Sequence, residues 1–311
     1  MKLVKLSFPY DFPVMRQTSG SAGVWGNYRF VIDDTLQECD YWVIYTAHEM
    51  KAETVCCHSK HIVFVPGEAY DTSPRFPDKF LKQFGLVITV QPQLKGKNIR
   101  YHQNANPWFI ERSYDALKAM GIPAKTKLLS IVSSNKDFTE GHRLRLQFAD
   151  KLKAHFGDQV DFFGRGIRDF EYKWDVTAPY QYHIAIENDE VPDWVTEKFQ
   201  DPILTYTFPF YYGCPNLETY IDSAAFCRID IRKPAEAIAI IEREISGNRY
   251  EQFLQSASAY RAKVLDQLQL FPMLSSFLDT LPDVAAKATT ILPPDAFQAS
   301  LFSRIKRKII K

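Results

Sequence analysis

Nine short apolar runs separated by stretches of helical length constrain this chain more than any other feature. They read "KLVKLSF", "DYWVIYT", "HIVFVPG", "LVITV", "KLLSIVSS", "QVDFFGRG", "YHIAIEN", "FPFYYG" and "FCRIDI", and Gly, Pro or Asn commonly closes them. Strands that alternate with helices and end at such residues make β-α units around parallel sheets, so the class is α/β. Two series of runs occur, one on each side of "HQNANPWFIERSYDALKAMGIPAKTK", where Gly121 and Pro123 break the helical pattern. The expectation is therefore two doubly wound, Rossmann-like halves, residues 1–123 and 124–280, facing a cleft along their strand C-termini, where open α/β sheets bind ligands. From Pro234 the chain becomes mostly helical, and residues 281–311 form a helical and basic tail.

Composition narrows the function classes. The 311 residues are 46% hydrophobic, enough for a packed core, and Lys plus Arg at 38 against Asp plus Glu at 37 leaves no field to attract nucleic acid. The five cysteines include the adjacent Cys56 and Cys57 and show no C-x-x-C spacing. That argues against a disulfide framework or zinc site and for reduced thiols in a cytoplasmic protein. The N-terminal apolar run is broken by Lys5, Pro9 and Asp11, unlike the core of a signal peptide, and no stretch has the roughly 18 to 20 apolar residues of a membrane span. There is no H-E-x-x-H, G-x-S-x-G or Walker P-loop. In the tail "SLFSRIKRKIIK", a helix would place Leu301, Phe302, Ile305 and Ile309 on one side, with Arg304, Arg307 and Lys311 elsewhere. This is either a solvated or docked end or a weak peripheral membrane contact.

The densest chemistry lies in "YHIAIENDEVPDWVTEKF", residues 182–199. Ile184 and Ile186 share one face of a strand, with Glu187 and Asn188 at its C-terminal end. After the turn, Asp193 or Thr196 can cap a helix that begins with Glu197 and Lys198. A helix N-terminus with an added ammonium suits a phosphate or diphosphate, and Lys so early in a helix opposes the dipole unless an anion arrives. The plain alternative is a capped helix with solvated charges.

Read whole, "YHIAIENDEVPDWVTEKFQDPILTYTFPFYYGCPNLETYI" resembles the donor-binding signature of the α-1,3-fucosyltransferases of glycosyltransferase family ten. The pattern is a strand into Phe-Glu-Asn, then Tyr-Val-Thr-Glu-Lys, a helix, and Pro-Ile/Val-aromatic/Val-x-Gly. Here it is Ile186-Glu187-Asn188, Trp194-Val195-Thr196-Glu197-Lys198 and Phe208-Pro209-Phe210-Tyr211-Tyr212-Gly213. Upstream, "LLSIVSSNKDFTEGHRLRLQFADKL" is similar to the family's strand ending in Ser-Asn and leading to a helix-start arginine, which corresponds to Arg143, with Arg145 as local competitor. "HIVFVPGEAYDTSPRFPDKF" resembles the segment from which bacterial-type members offer a general base, matching Glu68. Two departures stand out: Trp194 replaces the usual Tyr, so an indole could stack on the nucleotide, and Pro202 should kink or end the helix.

The resemblance implies a GT-B architecture and inverting transfer of L-fucose from GDP-fucose to a hydroxyl of an oligosaccharide or glycolipid. Glu68 and Glu197 would be catalytic, and Arg143, Glu187, Asn188, Trp194, Thr196 and Lys198 would bind donor. It implies no metal or other cofactor, and the chain has no Asp-x-Asp pair. A cytoplasmic site, peripheral at the inner membrane face, fits the basic tail and a lipopolysaccharide or capsular acceptor. The alternatives are a relative of the same fold using another nucleotide sugar, and a nucleotide-sugar binding protein without transferase activity.

Overall fold

The computed structural model describes residues 1–8, 11–46, 50–69, 76–133 and 140–297. The C-terminal segment expected to seek membranes lies outside them. By contacts the chain forms two compact units: one from the described residues of Met1–Phe12, Val24–His102 and Ser275–Lys311, the other from Pro13–Gly23 and Gln103–Leu274. The division falls at 102/103, upstream of the 123/124 expected from Gly121 and Pro123, because "QNANPWFIER" packs with the second series. Trp108 and Ile110 are fully enclosed in that unit's core. Residues 13–23 belong there too: the Arg16 guanidinium donates to Trp108 O at 3.0 Å and Gly20 N to Asp115 Oδ2 at 2.6 Å.

The first unit contains β1 (Lys2–Ser7), β2 (Val24–Trp25), β3 (Tyr28–Val31), β4 (Tyr41–Tyr45), β5 (Glu53–Cys56), β6 (Ile62–Val65), β7 (Leu86–Thr89) and β8 (Ile99–Tyr101). Seven of these make one sheet in the order β2-β3-β1-β4-β6-β7-β8, parallel except for the edge strand β2. The first helix, α1, is short (Asp78–Leu81), and its Phe80 packs edge-on against Phe64 of β6 at 5.3 Å.

In the second unit α2 (Tyr114–Ala119) precedes β9 (Lys127–Val132), α3 (Glu140–Phe156), β10 (Val160–Phe163) and β11 (Tyr180–Ile186). Then come α4 (Glu197–Leu204), β12 (Phe208–Tyr212), β13 (Cys227–Arg228), α5 (Pro234–Ser246), α6 (Arg249–Lys263) and α7 (Leu270–Leu278). The sheet order is β10-β9-β11-β12-β13, all parallel. Counting this unit's strands along the chain gives 2-1-3-4-5, a doubly wound order that reverses direction between β9 and β11. The parallel strands of the first unit follow the same rule, with the reversal between β1 and β4. A last strand, β14 (Ala288–Ile291), returns to the first unit and pairs antiparallel with β5, so the stretch read as tail is partly a strand.

All nine apolar runs are strands. The small elements β2, β3, β5, β8 and β14 were not singled out, because two to four residues carry too short a pattern to register. The helix α4 shows how sequence makes the site's frame. Thr196 is its N-cap, Phe199, Ile203 and Leu204 are buried, and the helix runs through Pro202, whose missing N–H leaves it one bond short, and ends two residues later. Enclosing Phe199 alone contributes about 2 to 3 kcal/mol, and its ring packs edge-on against Tyr211 of β12 at 5.3 Å.

Candidate functional site

In the second unit the reversal between β9 and β11 is where a doubly wound sheet opens a crevice at its carboxyl edge. The first β-α connection there leads from β9 to α3, and Arg145 on α3 donates through Nη1 to Asn188 Oδ1 at 2.9 Å. That bond ties the helix after β9 to the residue just past β11, across the switch point. Arg143, two residues earlier and so on the other side of α3, is exposed. The competitor Arg145 thus has a hold on the junction through Asn188. It is enclosed at 6% exposure, and burial lowers the guanidinium's pKa from its ordinary value.

Glu187 is fully buried. Its two oxygens accept from Thr196 N at 2.9 Å and Thr196 Oγ1 at 2.7 Å, and Lys198 Nζ lies 3.7 Å away. A carboxylate so engaged closes the turn between β11 and α4. Burial pushes its pKa up, partly offset by Lys198. Gly213 makes room for it: at φ +148° it occupies a conformation that favours glycine, and an added Cβ would sit 2.4 Å from Glu187 Cγ.

Thr196 Oγ1 also accepts from Lys198 N at 3.2 Å, the capping bond anticipated for Thr196 or Asp193. Asp193 does other work. It sits at φ 67°, and its Oδ1 accepts from Asn216 Nδ2 at 2.8 Å and from the Tyr220 hydroxyl at 2.7 Å. Trp194 is buried at 4% exposure. Its ring is enclosed, so the stacking face that the sequence suggested is not offered at the surface.

Beyond the cap the side chains become more open. Lys198 keeps 26% of its side-chain exposure and Glu197 keeps 13%, against none for Glu187, and their charged ends are 3.1 Å apart. Burial alone would raise the Glu197 pKa, but Lys198 and Lys173 together outweigh it and hold the carboxyl at about 2. Lys198 in turn stays above its usual range despite burial, because Glu197 and Glu187 flank it. Here the sequence-predicted residues Glu187, Asn188, Thr196, Glu197 and Lys198 gather in one place.

Sequence reasoning missed two members of this cluster. Lys173, on the short 3₁₀ turn Lys173–Val176 before β11, bonds Asp201 Oδ2 at 2.7 Å and lies 3.9 Å from Glu197 Oε1. Asp201 is inaccessible, and burial raises its carboxyl to about 6 against the pull of Lys173. The only sequence signal was Asp201 one turn after Glu197, on the same side of the helix as that carboxylate. Glu187, Glu197 and Asp201 are thereby interleaved with Lys198, Lys173 and Arg145. Such a balanced set can persist out of water, where an unpaired charge could not.

Glu68 lies in the first unit, just past β6, exposed, in a loop whose backbone is held by Gln91 Nε2 donating to Glu68 O at 3.2 Å. Among the described residues no group of three His, Cys, Asp or Glu side chains is placed to hold a metal ion, and no helix is long and apolar enough to cross a membrane.

A doubly wound unit with cations and a capped helix start at its switch point belongs to the class of α/β folds that receive anionic ligands at strand ends. The family follows from sequence: the model of glycosyltransferase family 10 (fucosyltransferase), C-terminal part, matches residues 122–277, half of the chain, and the chain belongs to that family. Human alpha-(1,3)-fucosyltransferase 7 is 27% identical over 149 residues, 46% of this chain and 42% of the relative. Human GDP-fucose protein O-fucosyltransferase 3 is 31% identical over 83 residues, 26% of this chain and 17% of the relative. The match thus spans well under half of either relative's length. A crystal structure of an alpha1,3-fucosyltransferase superposes with a TM-score of 0.48 and 16% identity, covering 88% of this chain and 93% of that one.

Proposed function

We propose that the protein is an inverting fucosyltransferase of GT-B type that moves L-fucose from GDP-fucose to a hydroxyl of an acceptor glycan, in α-1,3 or α-1,4 linkage. The observation that carries this reading is the Glu187–Thr196–Lys198 junction at the switch point, inside the span that defines the family. Its half-open Lys198 and Glu197 are the groups a donor would meet.

In this scheme the acceptor oxygen attacks the anomeric carbon of fucose as its proton passes to a carboxylate, and the bond from that carbon to GDP breaks. Negative charge grows on the departing diphosphate. Lys198, the α3 arginines Arg143 and Arg145, and the N-terminal N–H groups of α4 supply the opposing field. The bond to Asn188 holds Arg145 in place at the junction. Glu197 faces the positive charge that develops on the sugar ring. Glu187 acts by fixing the turn that also carries the buried Trp194. Asn188 orients sugar or ribose hydroxyls. Glu68 takes the acceptor proton, a role that rests on its place in the resemblance and on its exposure.

No step requires a metal. The likeness to both glycan and protein fucosyltransferases puts oligosaccharide, glycolipid and polypeptide hydroxyls in the acceptor screen. Reduced thiols favour a cytoplasmic site of action.

Thermal unfolding with GDP-fucose, GDP, GDP-mannose, UDP-galactose and CMP-sialic acid in parallel tests the donor without an acceptor. A ligand at about a hundred times its dissociation constant adds roughly 2.7 kcal/mol. Stabilisation by GDP and GDP-fucose above the others is expected; stabilisation by only a uridine or cytidine sugar would overturn the donor.

A further inference from the structure

Lys173 and Asp201 form an ion pair behind the junction that the family signature does not account for. Lys173 Nζ is 2.7 Å from Asp201 Oδ2 and 3.9 Å from Glu197 Oε1. The other oxygen, Asp201 Oδ1, accepts from Phe109 N at 3.0 Å. Phe109 is 41% exposed, follows the buried Trp108, and lies with its ring 5.7 Å from Lys173 Nζ. Three separate pieces of the second unit therefore meet on one ammonium: the turn before β11, the second turn of α4, and the irregular segment around Phe109.

We propose that Lys173 is a positioning residue for Glu197, held in place by Asp201, and that the same pair sets the exposed Phe109 ring beside the sugar-facing carboxylate. The inference rests on the donor reading above only for what Glu197 touches; the positioning itself does not depend on which sugar is bound. Asp201 holds Lys173 by charge and Phe109 by its backbone, so Glu197 is braced from below by Lys173 as it is from the front by Lys198. The other charged groups facing it are Glu187 at the end of β11 and, across Lys198, Arg145 of α3. With Lys173 removed, Glu197 loses a cation that Asp201 holds and keeps Lys198, 3.1 Å away.

The test reads Glu197 directly. Glutamate labelled with ¹³C at the side-chain carboxyl, with Glu197→Gln to identify the signal, gives its titration in the full chain without substrate. In the parent protein the Glu197 signal should not titrate above pH 3. In Lys173→Met its midpoint should rise by about one unit or more, and Lys173→Arg should bring it back. Turnover measured against pH should fall about 10- to 100-fold in Lys173→Met. Its acid limb should move upward with the midpoint, and the KM for donor should change less than kcat. If Lys173→Met does not fold, Lys173→Gln serves: its amide can still donate to Asp201 Oδ2 while the charge beside Glu197 is gone, and the same upward shift is expected. An unchanged Glu197 titration in the folded variant overturns the proposal, as does a uniform loss of activity with an unmoved pH profile. A shifted titration in a protein that turns over no GDP-fucose leaves the positioning in place and removes the donor assignment.

Discussion

The two units carry the same doubly wound order, yet the edges where their strands end are furnished differently. At the reversal in the second unit the carboxyl edge holds Arg145, Glu187, Asn188, Thr196, Glu197 and Lys198, cross-braced and largely out of water. At the reversal in the first, β4 ends in buried Tyr45, whose ring lies 5.0 Å from Phe8 just past β1, and the neighbouring β6 runs into a loop that leaves Glu68 exposed. Topology alone delivers loops to that edge. Side chains decide what the edge can hold: a charge-balanced cluster suits a diphosphate, whereas aromatic rings and, among the described residues, the exposed Glu68 suit an uncharged hydroxyl-bearing partner. The contrast predicts that first-unit variants alter catalysis with little effect on stability, and that second-unit variants alter both.

Glu68→Gln should show the largest effect on rate. Losing a general base costs about 10² to 10⁴ in turnover, while an exposed isosteric change leaves stability within about 0.5 kcal/mol. Thermal unfolding with GDP should therefore match the parent protein as transfer disappears. Normal turnover would remove Glu68 from the mechanism and leave the first edge without a chemical role.

Lys198→Met should cost about 10² to 10³ in turnover, the usual loss for one charge-stabilising donor, and weaken GDP as well. It should also destabilise the chain by up to about 3 kcal/mol, since breaking an enclosed ion pair costs about 3 to 5 kcal/mol and Lys198 is a quarter exposed. Urea titration alongside GDP binding separates the two. A variant of unchanged stability and GDP affinity would mean that the cluster is a solvated surface and that the two edges do not differ as argued.

Gly213→Ala sharpens the comparison without touching a charge. The methyl would strike the Glu187 side chain, and φ +148° adds backbone strain, so a loss of about 2 to 3 kcal/mol is expected with GDP affinity falling as Glu187 shifts. Gly67 at the first edge offers a control: its Cβ would meet Tyr45 Cε1 at 3.3 Å, a contact that a small ring movement relieves.

Much of this contrast was legible before any coordinates. The nine apolar runs gave the parallel strands because a buried strand is a short, continuous hydrophobic segment, and the order Ile186-Glu187-Asn188 to Thr196-Glu197-Lys198 located the junction. What it could not give was each carboxylate's duty. Glu187 and Glu197 are ten residues apart in sequence and read alike, yet one is buried against Thr196 and the other keeps an open side, which depends on where β12 and Gly213 come to lie. Lys173 and Asp201 escaped because an ion pair between residues so far apart leaves no periodicity. Sequence does not tell Arg143 from Arg145 for a similar reason, since the helix's rotation toward Asn188 is what places Arg145.

The smallest predicted effect concerns what lies beneath the two edges. Each reversal is bridged by one side-chain bond between its central strands: Trp42 Nε1 donates to Ser7 Oγ at 2.9 Å in the first unit, and Ser130 Oγ pairs with His183 Nδ1 at 2.8 Å in the second. Only the second bridge can titrate. Burial first, and then the charge of Lys173, lowers the His183 pKa to about 3 from an ordinary 6.5. The unfolded chain therefore binds a proton that the folded one refuses, so stability is complete above about pH 6.5 and is lost as pH falls from there toward 3. Between pH 7 and 5 the loss from this group is about 2 kcal/mol. Asp201 works the other way, since its carboxyl at about 6 favours the folded state as acid neutralises it. The informative quantity is thus the difference between the parent and His183→Gln, in which the Asp201 contribution cancels. The parent's stability relative to His183→Gln should fall by about 2 kcal/mol from pH 7 to 5, with amide exchange in β9 and β11 accelerating in the parent while β1 and β4 stay protected. Equal acid sensitivity in the two sheets would show that the bridge in the second unit is no weaker than its counterpart, and would confine the difference between the units to their edges.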